Sequence, residues 1–232
     1  MTQSTWIFPG LALDAFVPRL APLVLLLFLG AGFVLFCSTI GAAIAAAARR
    51  RILARRLAAG ALSAAVVYGV LLVGASLLSR DRTLAAGEKK YFCEMDCHLA
   101  YSVDSASPGE RSMTVAIRTW FDPTTVASFR GNGLLFPNPR TVFLVDDFGS
   151  RYPPSTSIAP LDRPLRPGES SLTRVSFDVP AGAGPLRLYV GDAPGLENLI
   201  VDHENSPFHA RTYFALPASA ASAPGAAPRS RS

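Results

Sequence analysis

The sequence has little charge, and two long stretches have none at all. Only 17% of its 232 residues are charged, against about 25% in a typical soluble domain. Residues 20–48 and 57–79 contain no Asp, Glu, Lys or Arg, and a membrane-spanning helix needs about 20 apolar residues. These stretches exclude a wholly soluble protein and predict two transmembrane helices. Because neither contains Asp, Glu, Lys, Arg or His, the chain is not expected to conduct ions or protons by itself.

The first apolar stretch is too long for a cleaved signal peptide, whose apolar region has about 7–15 residues. Five arginines lie between the two stretches: Arg49, Arg50, Arg51, Arg55 and Arg56. Short loops rich in Lys and Arg stay in the cytoplasm. We therefore predict a cytoplasmic Arg-rich loop at 49–56. The N-terminal segment 1–19 and the C-terminal part of the chain are predicted on the extracytoplasmic side of the cytoplasmic (inner) membrane.

The net charge of +5 does not indicate a nucleic-acid partner. Residues 83–215 contain 12 basic and 15 acidic residues, so the excess of positive charge lies in the Arg-rich loop and the C-terminal tail. A nucleic-acid-binding domain needs a basic face. The partners predicted from the sequence are the lipid bilayer and another envelope or membrane protein, with no nucleic acid.

After the second apolar stretch, a polar linker is predicted at 80–90, and the periodicity then changes from helical to two. Within 91–216, six segments separated by Pro and Gly are predicted strands: 91–103, 112–121, 140–145, 171–179, 185–190 and 211–216. Short strands with frequent turns and no amphipathic helix indicate an all-β domain, an antiparallel β-sandwich. Residues 217–232, mainly Ala, Ser, Pro and Arg, are predicted to be disordered.

Three segments carry a resemblance to a known family: 140–155 (RTVFLVDDFGSRYPPS), 165–180 (LRPGESSLTRVSFDVP) and 186–192 (LRLYVGD). A strand that ends in an acidic turn, followed by a Pro-Gly-Glu turn and a Val-x-Phe-x-Val-Pro strand, resembles the telokin-like, immunoglobulin-fold domains of bacterial extracytoplasmic proteins. The resemblance implies an immunoglobulin-like sandwich. It implies no activity, because such sandwiches serve many functions.

Cysteine is scarce, and the three cysteines differ in their setting. Cys37 lies in the first predicted span, where a thiol acts as a small apolar group. Cys93 and Cys97 lie in the predicted domain, on the oxidising side of the membrane, where paired cysteines can form a disulfide. In a strand at 91–103 the odd-numbered residues, including both cysteines, are predicted to face the core, and the even-numbered ones, including His98, the solvent.

Three interpretations of the cysteine pair stay open. In a straight strand the two thiols lie about 13 Å apart, too far for a disulfide or a shared metal ion, and both are simply buried. A bend between them would allow a disulfide. The same bend would allow a metal site with thiolate and imidazole ligands, which suit copper or zinc. The predicted ligands of such a site are Cys93, Cys97, His98 and His209, with His203 as a further histidine.

The spacing Cys93-x-x-x-Cys97 after a two-helix hairpin also resembles cytochrome c oxidase subunit II, in which a β-sandwich follows such a hairpin and holds a dinuclear copper centre. The copper-binding loop of that family has Glu between its cysteines, followed by His and Met at fixed spacings. Here Met95 stands at the Glu position, Tyr101 at the His position and Asp104 at the Met position. The resemblance therefore implies a mononuclear metal or redox site and not the dinuclear centre.

Motifs of common enzyme classes are missing as well: the sequence has no Gly-x-Ser-x-Gly elbow, phosphate-binding loop or His-Glu-x-x-His pair. The acidic pair Asp146-Asp147 is expected in a turn, and aromatic residues such as Phe136 are expected in the core. The leading hypothesis is a non-enzymatic, membrane-anchored extracytoplasmic module that binds or assembles with a partner. The alternative is a membrane protein that handles copper, zinc or thiol redox chemistry with the segment Cys93-x-x-x-Cys97-His98.

Overall fold

The structure, a computed structural model, describes residues 21–92, 98–126 and 131–216. Three predictions concern residues outside this part of the chain. They are the external segment 1–19, the disordered tail 217–232 and the setting of the two cysteines within 93–97.

The described chain begins with two helices, α1 (Ala21–Ala47) and α2 (Arg51–Leu78), which pack against each other as a hairpin. Both are long and apolar enough to cross a membrane. Their apolar side chains point outward: Phe33 is 68% exposed, Val70 66% and Leu77 68%. Exposing such side chains to water is unfavourable by roughly 25 cal/mol per Å², and lipid chains would remove them from water. The hairpin therefore fits membrane anchoring.

The connection between the helices is shorter than the sequence predicted. Only residues 48–50 separate them, and because α2 begins at Arg51, most of the predicted loop 49–56 is helical. Arginine is a good helix former, and the helix satisfies its own backbone hydrogen bonds on both sides of a membrane boundary. Arg49 closes the turn with a left-handed φ of 60°, and its N–H donates to the carbonyl of Ala46 at 2.9 Å.

A β-sandwich of two sheets follows the helices. Its strands are β1 (Arg82–Leu84), β2 (Lys90–Phe92), β3 (Leu99–Pro108), β4 (Ser112–Phe121), β5 (Arg140–Val145), β6 (Arg151–Tyr152), β7 (Ser170–Asp178), β8 (Arg187–Asp192) and β9 (Thr212–Ala215). One sheet has the order β1-β9-β8-β5-β6 and the other β2-β3-β4-β7. The predicted fold class, two apolar helices followed by a β-sandwich, is confirmed.

One strand pair departs from the predicted antiparallel arrangement. β1 pairs parallel to β9, with Arg82 opposite Thr212, whereas the other described pairs of neighbouring strands are antiparallel. A parallel pair needs a long connection, and nearly the whole sandwich lies between these two strands in sequence. The predicted linker 80–90 therefore contains a strand. β1 and β6 have three and two residues, too few for a periodic pattern to reveal them.

The core lies between the two sheets. Side chains alternate along β4, where Val115 and Ile117 are fully buried, as a period of two predicts. Phe177 of β7 and Leu188 of β8 meet them from the two sheets and are fully buried as well. Burying a Phe or Leu side chain stabilises the fold by about 1.5–3 kcal/mol. Phe136, which was expected in the core, is 67% exposed.

The single strand predicted at 91–103 is wrong. β2 and β3 are antiparallel neighbours, and Phe92 lies directly opposite Leu99. The chain must therefore reverse direction between these two residues, and both side chains face the core. The predicted alternation placed Phe92 on the solvent face. It failed because the apolar residues between the two strands continue the period of two across the reversal.

The contrast between two phenylalanines tests the position of the core. We expect Phe177→Ala to lower the free energy of unfolding by about 3–5 kcal/mol, because it leaves a cavity between the sheets. Phe148→Ala is the matched control. Phe148 is 88% exposed, so its loss should change stability by no more than about 0.5 kcal/mol. The measurement is hydrogen exchange of β4 amides in the full chain in detergent micelles. Equal effects of the two substitutions would contradict this core.

Candidate functional site

The chain reversal between β2 and β3 carries the cysteines that the sequence singled out. Cys93 and Cys97 lie outside the described residues, but the residues that flank them are described. Phe92 and Leu99 form the last cross-strand pair before the reversal. The candidate functional site is therefore built from the base of this hairpin.

His98 is the predicted metal ligand that the structure describes at this site. It is buried, with 3% of its surface exposed, and not on the solvent face where the sequence analysis placed it. Its ring stacks on Phe121, with the ring centroids 5.9 Å apart. Its carbonyl accepts a hydrogen bond from the N–H of Asp122 at 2.8 Å. The end of β4 thus holds His98 in place, because Phe121 contacts its ring and Asp122 bonds to its main chain.

Asp122 organises the polar part of the hairpin base. Its Oδ1 accepts hydrogen bonds from the Thr124 N–H at 2.9 Å and from the Thr124 hydroxyl at 2.7 Å, and its Oδ2 accepts one from the Tyr91 hydroxyl at 2.8 Å. Burial alone would raise the pKa of Asp122. The hydrogen bonds from Thr124 and Tyr91 and the positive charge of Lys89 outweigh burial and hold this pKa below its ordinary value. The carboxyl is therefore ionised at neutral pH.

Two further side chains complete this cluster. Burial and the hydrogen bond to Asp122 raise the pKa of Tyr91 to about 12, so its hydroxyl stays protonated and acts as a donor. The ammonium of Lys89 lies 3.2 Å from the centroid of the Trp120 ring, a cation–π contact. Sequence reasoning missed this group, because nothing in the pattern shows that the residues before β2 meet the end of β4.

Two buried cations join the strand pair β2–β3 to the other sheet. The ammonium of Lys90, in β2, donates to the carbonyls of Val190 at 2.6 Å and Thr212 at 3.2 Å. Arg140, in β5, donates from Nε to the Tyr101 hydroxyl at 3.1 Å and forms a salt bridge with Asp192. These bonds join the sheets at the end from which the cysteine segment emerges. The described strands on either side of the cysteine segment are therefore bonded to the other sheet.

The histidines near the last strand belong to the other of two compact units, which comprises residues 1–81 and Pro194–Arg211. His209 Nδ1 lies 2.6 Å from the carbonyl oxygen of Ala210, and Nε2 lies 3.2 Å from Oδ1 of Asp202. Burial alone would lower the pKa of His209, but these contacts and the charge of Glu204 outweigh it and raise the pKa. Both nitrogens face oxygen acceptors, which favours the imidazolium ion over the neutral ring that a metal needs.

The remaining sequence candidates have simple surroundings. Cys37 is a free, exposed thiol on the apolar hairpin. Asp146 holds a turn, as expected, by accepting hydrogen bonds from the N–H groups of Phe148 and Ser150 and from the Tyr152 hydroxyl. Within residues 21–92, 98–126 and 131–216, no three His, Cys, Asp or Glu side chains are grouped so that they could hold a metal ion.

The comparisons with known proteins do not assign this chain to a family. No family model and no curated protein matches the sequence. Among solved structures, a secreted protein from Mycobacterium tuberculosis, MPT63, aligns with 57% of this chain and 95% of its own, at 11% sequence identity and a TM-score of 0.37. This chain is thus only distantly similar to a known structure, and its function has to be argued from its own residues.

The low pKa of Asp122 predicts a pH-dependent contribution to stability. An unfolded Asp has a pKa of about 3.9, so the contacts of the ionised carboxyl stabilise the fold fully above that pH. They are lost as the pH falls through the lower pKa of the folded state. We expect Asp122→Asn to reduce the free energy of unfolding of the full chain at pH 7. The difference from the unsubstituted protein should shrink as the pH approaches 3. A difference that stays constant with pH would contradict this assignment.

Proposed function

We propose that this chain is a membrane-anchored extracytoplasmic binding or assembly module, and that it binds a strand of an envelope or membrane protein along the open edge of β7. One observation carries the proposal: β7 pairs with β4 along its whole length on one side, whereas on its other side the described chain contacts it near its C-terminal end, through residues 154–156. Edge strands of this kind accept an extended segment of a partner through main-chain hydrogen bonds.

The direction of the main-chain groups along β7 supports this edge as a binding surface. Ser176 accepts a hydrogen bond from the N–H of Ser155 and donates its own N–H to the hydroxyl of Thr156, so its main chain faces away from β4. Hydrogen-bonding directions alternate along a strand. The main-chain groups of Leu172 and Arg174 therefore face the same way as those of Ser176. Within the described part of the chain, they have no hydrogen-bond partner on that side.

The other edges of the described sandwich are blunted in ways that natural proteins use against association. β1, β2 and β6 have only two or three residues each. β3 extends beyond its partner β2, but a bulge interrupts its register between Val103 and Ser105, and the strand ends at Pro108. β7, in contrast, pairs with β4 over nine consecutive residues without a shift in register.

The side chains of the same edge are compatible with a protein partner. Leu172 is 41% exposed and Arg174 is exposed, which gives the edge one apolar and one cationic contact. Aliphatic and Arg side chains both occur in protein interfaces. The extracytoplasmic location rests on the five arginines within 49–56, at the turn between the helices and in the first residues of α2. This segment is called the Arg-rich turn, and such arginine-rich connections stay in the cytoplasm.

Site-specific photocrosslinking tests the proposed edge in the full chain in its own membrane. A photoreactive residue at Ser170 should give a discrete adduct with one envelope protein. Leu172→Pro removes one outward N–H, and we expect about five- to tenfold less adduct, because a main-chain hydrogen bond contributes about 1 kcal/mol. Leu172→Ala keeps this N–H and is the matched control. Both variants should fold, since an edge strand tolerates Pro where its N–H faces outward.

Two outcomes would contradict the proposal. Equal adduct yields from Leu172→Pro and Leu172→Ala would mean that the partner does not use the main chain of β7, and the absence of any adduct would mean that no partner lies at this edge. The same cells, stripped of their outer layer and treated with protease, check the location. Cleavage at the Arg-rich turn with protection of the sandwich would contradict an extracytoplasmic domain.

A second function is favoured by the chain reversal between Phe92 and Leu99. A straight strand would have kept the two thiols apart, and the antiparallel pairing of β2 with β3 excludes a straight strand through this segment. We therefore also propose a copper or zinc site, or a redox-active thiol pair, formed by Cys93 and Cys97 with His98. His209 would have to leave Asp202 to take part, because both of its ring nitrogens already face oxygen atoms.

Elemental analysis of the full chain, purified in detergent, tests this second function. We expect one equivalent of copper or zinc, lost in Cys93→Ser and in Cys97→Ser. Cys37→Ser is the matched control and should keep the metal, because Cys37 lies in α1 and is not one of the proposed ligands. Metal-free protein whose two thiols become titratable only after reduction would support the redox-active pair. Metal-free protein with two freely titratable thiols would contradict both versions.

A further inference from the structure

The segment Pro194–Arg211, which lies between β8 and β9 in sequence, packs with the helical hairpin in one compact unit. Val201 is buried against Val24 of α1 and Leu72 of α2. The hydroxyl of Tyr68, also in α2, donates to the carbonyl of Leu199 at 2.5 Å. The segment is therefore attached to both helices.

The height of this contact along the helices matches the thickness of a membrane. With a rise of about 1.5 Å per residue, Leu72 lies about 32 Å along α2 from Arg51. By the same rise, Val24 lies about 35 Å along α1 from its end at Ala47. The hydrocarbon core of a bilayer is about 30 Å thick. Measured from Arg56, the last arginine in α2, Leu72 lies about 24 Å along the helix. When all five arginines lie at one surface of the bilayer, the contact of Pro194–Arg211 with the helices therefore lies in the opposite leaflet, a few Å below its surface.

The segment is held in a defined conformation by its own hydrogen bonds. The N–H groups of His203, Ser206 and His209 donate to the carbonyls of Ile200, His203 and Ser206 in turn. The Ala210 N–H donates to the hydroxyl of Ser79, just beyond α2, at 2.7 Å. Consecutive tight turns with these bonds leave the exposed side chains at fixed positions.

The exposed side chains of the segment are apolar, and two of its three acidic side chains are buried, whereas Glu197 is half-buried. Phe208 is 76% exposed, Leu196 73% and Leu199 48%. Asp202 and Glu204 are each only 5% exposed. Phe208 also adopts a φ of 67°, a conformation that is strained for a residue of this kind and that concentrates at functional positions.

We propose that Pro194–Arg211 is a membrane-interface anchor whose Leu196, Leu199 and Phe208 side chains insert into the lipid leaflet opposite the Arg-rich turn. Its occupant is lipid because the segment packs on Val24 and Leu72 of two helices that expose apolar side chains along their length, in the leaflet opposite the Arg-rich turn. Aromatic and leucine side chains are the groups that enter this boundary in other interfacial elements. This inference does not depend on the β7 edge or on the cysteines.

Depth-dependent quenching by brominated lipids tests the anchor. Leu196→Trp, Leu199→Trp and Phe208→Trp are made singly in a full chain whose Trp6 and Trp120 are replaced by Phe. Each variant is reconstituted at one chain per lipid nanodisc. For Phe208→Trp we expect about a twofold loss of emission when the lipids carry bromine near the headgroups, and a smaller loss when the bromine is near the bilayer centre. Val67→Trp, in the middle part of α2, is the matched control and should show the reverse order.

Three results would overturn the proposal. The first is emission typical of water with no quenching in any of the three segment variants. The second is quenching that is strongest with bromine near the bilayer centre, since the segment would then not be interfacial. The third is shielded, unquenched emission that appears only when several chains share a liposome, since the occupant would then be a second copy of this chain. Normal quenching of Val67→Trp in each sample shows that the chain has been inserted.

Discussion

The buried ammonium of Lys90 is the contact on which the arrangement of the sandwich depends. It lies in β2 of one sheet and donates to carbonyls of β8 and β9 in the other, while the rings of Phe92 and Tyr189 lie 5.2 and 4.9 Å from it. Burying an ion costs several kcal/mol unless such partners surround it. A shift of one sheet against the other would separate the ammonium from these carbonyls, so the contact favours the observed packing of the sheets.

This constraint also explains why the cysteine hairpin has a well-defined base. β2 has only three residues, too few to hold a hairpin by main-chain bonds to β3 alone. Lys90 and Phe92 attach it to the opposite sheet, and Arg140 reaches back to Tyr101 on β3. The hydrogen bonds of Lys90 and Arg140 thus hold β2 and β3 in place, as the main-chain bonds of a longer strand would otherwise do.

The sequence predicted those parts of the fold that follow from local physical rules. The missing charges located both helices, because the thickness of a membrane dictates their length, and the alternation in 112–121 and 140–145 gave the bounds of β4 and β5. The prediction failed where distant residues decide. A lysine is expected to be exposed, and Lys90 is buried only because tertiary packing brings carbonyls of β8 and β9 to it. At the candidate site, His98 was singled out for its neighbours in sequence, but its burial against Phe121 depends on pairing that no period of two reveals.

Three charged side chains of the described sandwich are engaged in holding the fold. Asp122 is occupied by Thr124 and Tyr91, Asp146 by its own turn, and Arg140 by Asp192. Groups held in this way stabilise the fold. The open main chain of β7 and the apolar side chains of Pro194–Arg211 remain, and neither needs a titrating group to act. The two proposed binding surfaces therefore rest on main-chain hydrogen bonds and apolar contacts, and the charged groups of the sandwich can keep their structural roles.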